Sequence, residues 1–593
     1  MKIFHLLFWI VGFTSTLLAA DPAEATSFDR WAESFSKEWT QTPSRGDGPQ
    51  KGPAEAPLDA DDVDGILLEA ARVREDRKFA LAQKGLAELS QWPAAKLDAT
   101  QRVSAELLRW HLETFVAGRP FSEHAFVFRQ LRGLHVSMVD SLAERSTLRR
   151  PKDVNNYLER LGKVATRMDE GLVRSRAATA RGLLPPRFIL ERSLQQLEMF
   201  LAPVAEQNIF VVSLARRSAA IKGLDPKIRA DALVQAARVV AEQVRPAYAR
   251  VRDYLEELLP RSTNAAGISR LPDGPAAYAQ ALQAFTSTRL TAEQIHAIGL
   301  REVARLEREM DDLLRGLGLR EGNLEQRLAQ SAGPIPLAAE PEPRGVLLAR
   351  YTEIIRDAET RSAALFNLKP LAPVEVRRVP LLTEKTASAH YTSPPADGSR
   401  GGIFWVPLPG SSLALTSRMR SLAYHEAVPG HHFQLAIQQE LKELPRFRAR
   451  RMFGGISAHS EGWALYVERL AVEQGWYEGD VPGRLGALSS ELFRAKRLVV
   501  DTGLHTQGWT RQQAIDYGIS ASEVERYVVN PGQACSYMVG MLSILDARGK
   551  AQAALGAAFS LPAFHDVVLR TGTVPLDLLA KVIADWIPTQ RRR

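Results

Sequence analysis

Apolar residues recur at helical spacing along most of this chain. From Asp61 to about Leu259 the pattern is helical almost throughout, as in Ile66-Leu67-Leu68 with Ala71 and Val73, and in Leu107-Leu108 with Trp110, His111 and Leu112. Alanine, leucine, arginine and glutamate dominate, and all four favour helix. The stretch from Pro260 to Pro275, with Arg261-Ser262-Thr263-Asn264 and two glycines, reads as a joint between two helical lobes. Thr291-Ala292-Glu293-Gln294 has capping-box spacing and opens a helix predicted to run to about Leu314, where Gly316 and Gly318 stop it. The period changes only between 374 and 408. Val374 to Val379, Ala389 to Thr392 and Gly402 to Val406 read as short strands, the last two separated by a turn at Pro394 to Gly398. Helical spacing returns after Pro409-Gly410 and lasts to the end. The predicted fold is therefore mainly α, a large multi-helix protein with one small sheet at 374–408.

The first sixty residues differ. Lys2, the apolar run Ile3 to Ala20 and the small pair Ala19-Ala20 read as a signal peptide (1–20) cleaved after Ala20. Residues 21–60 read as a flexible leader, because Thr42 to Pro57 is rich in Pro, Gly, Ser and charge. An N-terminal helical lobe is expected at 61–275 and a lobe with the chemistry at 276–593. No later stretch reaches 18 uninterrupted apolar residues, so no membrane span is expected in the mature chain. No cysteine lies near the cleavage site, so a lipid anchor is not expected there. The expected location is periplasmic or secreted.

Composition narrows the class. With 45% hydrophobic and 24% charged residues the chain is neither disordered nor fibrous. Its single cysteine, Cys535, excludes an intrachain disulfide and a cysteine-cluster zinc site. The net charge of +8 is spread among acids at helical spacing, as at Arg301, Glu302, Arg305, Glu307, Arg308 and Glu309. That is a solvated helix face, and no nucleic-acid partner is expected.

Six of the twelve histidines fall between His390 and His505. The core is Tyr424-His425-Glu426-Ala427-Val428-Pro429-Gly430-His431-His432-Phe433-Gln434. Metal-assisted hydrolysis needs neutral imidazoles, a third ligand and a carboxylate that takes a proton from water. In the H-E-x-x-H arrangement the histidines are four apart on one helix. Here the second histidine is displaced to i+6 (His431) or i+7 (His432). On an ideal helix His432 lies about 10.5 Å further along the axis, and His431 lies on another face. Pro429 and Gly430 disturb the helix between them. A looped-out insertion then favours His431 over His432. A kinked helix with polar residues capping its break is the bland alternative. Glu461, thirty residues past His431, tips the balance: its placement resembles the glutamate ligand of gluzincin peptidases. Glu468, seven residues on, either supports a ligand or is a solvated acid. His459 is a weaker ligand candidate.

The pattern His425-Glu426-x-x-Pro429-Gly430-His431-His432-x-Gln434, then Glu461-Gly462-Trp463-Ala464-x-Tyr466-x-Glu468, resembles the bacterial family catalogued as domain of unknown function 885. So do Arg494-x-x-Arg497 to His505, Glu525-Arg526-Tyr527, Pro531-Gly532-Gln533-Ala534 and Tyr537-x-x-Gly540. The resemblance runs from about residue 60 to the end. It implies a zincin-like, gluzincin-type zinc metallopeptidase with a channel admitting short peptides. Zn²⁺ held by His425, His431 and Glu461, with Glu426 as general base, is the expected centre.

Further roles are expected around it. Arg494, Arg497, Asp501 and His505 share one helix face. Asp501 is placed to orient His505, which is expected to donate to an oxyanion, although a buried salt-bridged face accounts for the same spacing. Tyr537 resembles the oxyanion tyrosine of related gluzincins, and a core tyrosine is the alternative. Arg526 and Tyr527 are candidate substrate-binding residues, Arg526 through a substrate carboxylate. The strand at Gly402 to Val406 is a candidate edge for an extended peptide. The rivals are a metal-dependent hydrolase of another amide or ester, and a binding protein with a relic metal site.

Overall fold

The structure, a computed structural model, describes residues 27–42, 71–331, 343–379, 384, 388–395, 398–408 and 417–591. The expected signal peptide lies outside the described residues. The fold is mainly α with one three-stranded sheet among the described residues. No described helix is long and apolar enough to cross a membrane.

Helix α1 (Ser27–Gln41) falls within the segment expected to be a flexible leader. Phe28, Ala32, Phe35 and Trp39 recur every three or four residues and are buried. The rings of Phe35 and Trp39 pack with Phe453, far away in sequence. The composition of 42–57 misled the reading of the residues before it. Two further helices, α2 (Ala71–Leu89) and α3 (Ala99–Gly118), join the same core.

Packing changes at two places along the chain, one of them within the joint expected at 260–275. Buried residues from 28–126 share one large core with residues 268–583. Residues 127–258 build a second core, including α4 (Pro151–Ala180) and α5 (Arg245–Leu258). One change of core, near residue 126, falls inside the stretch expected as one N-terminal lobe, and the other, between 258 and 268, falls in the expected joint.

After α6 (Gly274–Thr286) comes α7 (Ala292–Gly316), which starts as its sequence predicts. Thr291 accepts from the Gln294 amide and Gln294 returns a bond to the Thr291 N–H. Its buried stripe of Ile295, Gly299, Val303, Leu306, Met310 and Leu314 follows the helical period. A Cβ on Gly299 would come within 2.8 Å of Leu498, so this glycine permits close approach to a later helix.

The sheet has order β1-β3-β2, with β1 (Val374–Arg378), β2 (His390–Thr392) and β3 (Gly402–Val406). β1 runs parallel to β3 from Val374 opposite Gly402. β2 runs antiparallel, with Tyr391 opposite Phe404. β3 is central, so the strand expected as an open edge has both edges paired. Alternation marks a strand but does not distinguish edge from centre.

Buried histidines give the fold a pH signature. Burial pushes His135, His459, His505 and His565 down to about 4 each, whereas the unfolded chain protonates them near 6.5. Below that pH the unfolded state binds more protons, so stability is complete above pH 6.5 and falls as pH drops toward 4. Each histidine contributes up to about 3 kcal/mol to this loss. Urea melts should show the midpoint falling between pH 7.5 and pH 5. A midpoint unchanged or raised at pH 5 would contradict the buried neutral state.

Candidate metal centre

Helix α8 (Met419–Glu426) stops at Glu426, and α9 (His431–Glu440) begins at His431. The four residues between are not helical. Gly430 makes this break possible, since a Cβ there would collide with the carbonyl oxygens of His425 and Tyr424. The break is pinned by Trp463, whose indole N–H donates to the Pro429 carbonyl at 2.9 Å. It replaces a long reach along one helix by a short one: the His425 and His431 rings are 4.8 Å apart, at 82°.

Glu461 enters from α10 (Ser457–Glu473). Its Oε2 lies 3.4 Å from Nε2 of His425 and 3.4 Å from Nε2 of His431. All three residues are buried, and one ligand atom of each lies within 4.8 Å of the others. An ion–pair hydrogen bond would be shorter, about 2.7–2.9 Å. A tetrahedral ion bound at about 2.0–2.1 Å separates its donors by about 3.3 Å. The residues therefore fit a zinc-sized ion. Burial opposes charge on Glu461, but the two neighbouring imidazoles outweigh this and hold its carboxyl well below the usual carboxylate range.

Glu468 is not solvated. It is buried and accepts from Nδ1 of His425 at 2.7 Å, so one helix holds both nitrogens of that ring. This bond fixes the tautomer with Nε2 toward Glu461. Burial works against charge on His425 too, yet Glu461 and Glu468 raise it to about 9. Ser421 Oγ and Ser490 Oγ both donate to Oε2 of Glu468. The sequence reading missed both serines, although Ser421 sits one turn before His425 on the same face.

His432 turns away. Its Nδ1 bonds the Tyr391 hydroxyl at 2.9 Å, and the backbone of Ala372 takes a further hydrogen bond. His459 is also outside the cluster, its Nδ1 lying 2.9 Å from the Val574 carbonyl. Glu426 is buried beside the ligands without a hydrogen-bond or ion-pair partner among the described residues. Burial raises its carboxyl, partly opposed by His425 and His431.

Tyr537 is brought to the site by a glycine contact. Its helix, α13 (Ser536–Leu555), crosses α10 where Gly462 meets Gly540, and a Cβ on Gly462 would lie 2.5 Å from the Gly540 backbone. The Tyr537 ring stacks at 6.4 Å from His425, with the Arg497 guanidinium 4.3 Å from its centre. Gln533 hydrogen-bonds the Tyr537 hydroxyl and stabilises its ionised form, whereas burial holds the phenol protonated. With Gln533 as donor, the O–H stays free to donate elsewhere.

The other expected roles change. His505, near the end of α11 (Val481–Thr506), is fully buried and its ring is spent. Nδ1 accepts from the Ile268 N–H at 3.0 Å and Nε2 donates to the Tyr527 carbonyl at 3.1 Å. No N–H is left for an oxyanion. Asp501 does not orient it either, accepting instead from the Tyr278 hydroxyl and the Gly532 N–H. Helical spacing grouped these residues correctly but gave no sign of the residues from other elements that occupy them. Tyr527, on α12 (Ala521–Val529), is buried with its hydroxyl between Arg497 and Glu523. Arg526 is paired with Glu523 at 2.9 Å and donates to Gln533 at 2.6 Å. Neither is free for substrate; Arg526 instead anchors the Gln533 that holds Tyr537.

A family model described as bacterial protein of unknown function (DUF885) matches residues 59–583. The structure is similar to that of a "putative lipoprotein" from Colwellia psychrerythraea, with TM-score 0.81 and 30% identity over 95% of this chain and 100% of that one. It is also similar to a protein of Shewanella oneidensis described in the same words and as of unknown function, with TM-score 0.69 and 17% identity over 94% and 100% of the two chains. No curated protein matches the chain.

The geometry separates the two adjacent histidines experimentally. His431→Ala should abolish stoichiometric zinc binding, whereas His432→Ala should retain it, as read by elemental analysis. Glu468→Gln should weaken zinc about 10–100-fold by removing support from His425. Equal loss in both histidine variants would contradict the assignment.

Proposed function

The chain belongs to this bacterial family of unknown function, and from that premise and its buried cluster we propose that it is a zinc-dependent peptidase acting on short peptides. The observation that carries the reading is the convergence of His425, His431 and Glu461 beside a buried, unpaired Glu426. Two imidazoles and one carboxylate are a donor set that suits zinc and leaves a position for water. Bound zinc supplies Lewis acidity, making a water more acidic and a carbonyl more electrophilic.

The protein's own residues supply the rest. Glu426 removes the proton from the attacking water and returns it to the leaving amine. Its raised proton affinity suits both halves of that transfer. Tyr537, held by Gln533 and kept protonated, donates to the oxyanion in the transition state. Burial of the site strengthens these interactions by excluding solvent. The relic-site alternative is weakened by Glu426: a site that only bound metal has no use for a buried unpaired carboxylate beside its ligands. An extracytoplasmic location agrees with the apolar N-terminal run and with the lipoprotein descriptions of the two similar structures.

Glu426→Gln should retain one zinc per chain and lower kcat on a peptide mixture by at least about 100-fold. Tyr537→Phe should lower kcat by about 10–1,000-fold with KM little changed. Near-native activity in Glu426→Gln would remove Glu426 as the base, and a change confined to KM in Tyr537→Phe would remove Tyr537 from the transition state.

A further inference from the structure

The net charge of +8 is not evenly shared along the chain. Residues 127–258, which build their own core, hold 23 basic against 15 acidic residues, an excess of eight. That leaves 53 of each sign elsewhere, since the whole chain has 76 and 68. The same lobe holds seven of the twelve exposed large apolar side chains among the described residues, in under a quarter of the chain. None of the metal-cluster residues belongs to it.

Charge and apolar exposure meet on one helical hairpin. The helices Ile209–Ser218 and Pro226–Val239 run antiparallel. At one end Arg229 donates to the Ala215 carbonyl at 3.0 Å and to Ser218 Oγ at 3.2 Å. At the other, Arg245, just past the second helix, donates to the Pro203 carbonyl, just before the first. Phe210, Val211 and Leu214 of the first helix and Ala232 and Ala236 of the second are buried in the lobe's core. The opposite faces, with Val212 and Arg216 on one helix and Lys227, Val234 and Arg238 on the other, are turned to solvent.

On the second helix Lys227, Val234 and Arg238 follow at steps of seven and four, so they form one row, and Asp231 is the acid within it. Val234 is 71% exposed, Ile228 beside Lys227 is 52% exposed, and Val204, in the turn ahead of the hairpin, is 57% exposed. The side chains of Lys222, Lys227 and Arg238 are exposed and form no hydrogen bond or ion pair among the described residues. Arg216 reaches Glu144 only at 3.7 Å.

Scattered singly, exposed aliphatic side chains are ordinary. Here they alternate with unpaired cations on the outer side of a basic lobe. An anionic bilayer surface suits both, because headgroups attract the cations and the acyl boundary accepts the aliphatic side chains. A nucleic acid would use the charge alone, and the only aromatic residue of the two helices, Phe210, is buried and cannot stack on a base. We propose that the hairpin spanning 203–239 is a docking surface for an anionic lipid bilayer, which holds the basic lobe against the headgroups while the metal cluster stays outside the contact.

The test is co-sedimentation of the full-length protein with vesicles of phosphatidylcholine, with and without added phosphatidylglycerol. Every comparison uses the same full-length chain, so its N-terminal apolar run contributes equally throughout. Binding should be at least about tenfold tighter with phosphatidylglycerol, and this preference should fall as salt rises from about 0.1 M to about 1 M. Lys222→Glu, Lys227→Glu and Arg238→Glu together should cut the preference to within about threefold. Ile228→Ser with Val234→Ser should weaken binding to the anionic vesicles by at least about threefold. Arg301→Glu, Arg308→Glu and Arg320→Glu together, at exposed cations outside the lobe, should leave the preference within about twofold of native. All these side chains are exposed, so unchanged melting temperatures should accompany each result. Equal binding to both vesicles, a preference that survives the hairpin reversal, or an equal loss in the variant outside the lobe would overturn the proposal. Anionic binding that ignores the apolar substitutions and is abolished by dextran sulfate would assign the surface to a soluble polyanion and overturn the lipid reading.

Discussion

The site depends on a break in one helix. An unbroken helix through 419–440 would put His425 and His431 on different faces, too far apart to share an ion. The four-residue interruption at 427–430 brings their rings within 4.8 Å. Two contacts hold it: the close approach of Gly430 to the preceding carbonyls, and the hydrogen bond from Trp463 to Pro429. Trp463 sits two residues after Glu461 on the same helix. The residue that pins the break and the residue that completes the donor set therefore arrive on one rigid element.

That element organises the rest. α10 offers Glu461 to both histidines and Glu468 to the far side of His425. Its glycine crossing with α13 sets Tyr537 against His425. Burial alone would drive each of these carboxylates toward its neutral form. The imidazoles reverse that for Glu461, and for Glu468 the charge of Arg494 and the bonds from His425 and Ser421 do so. Glu426 lacks such a hydrogen bond and keeps a raised proton affinity. The same buried environment thus leaves two of these glutamates ionised and gives the third a raised proton affinity.

Much of this was legible in the sequence. Local rules act over three or four residues, so the capping box at Thr291, the three strands and the mainly helical fold could be read directly. The His425–Glu426 pair, the displaced His431 and the later Glu461 were legible because metal chemistry restricts residue type and spacing. What failed depended on partners distant in the chain. His505 and Asp501 share a helix face as expected, yet Ile268, Tyr278, Tyr527 and Gly532 occupy them. Arg526 failed for a local reason instead, since Glu523, one turn before it, and nearby Gln533 engage its guanidinium. The central position of β3 depends on its pairing with β1 as well as β2, and the core role of Trp39 depends on Phe453, hundreds of positions away.

The most direct test of the account is zinc content measured together with peptide cleavage, before and after chelation. The account predicts about one zinc per chain, cleavage of short peptides lost on chelation, and both restored by zinc. No bound zinc, with no cleavage after zinc is supplied, would contradict it.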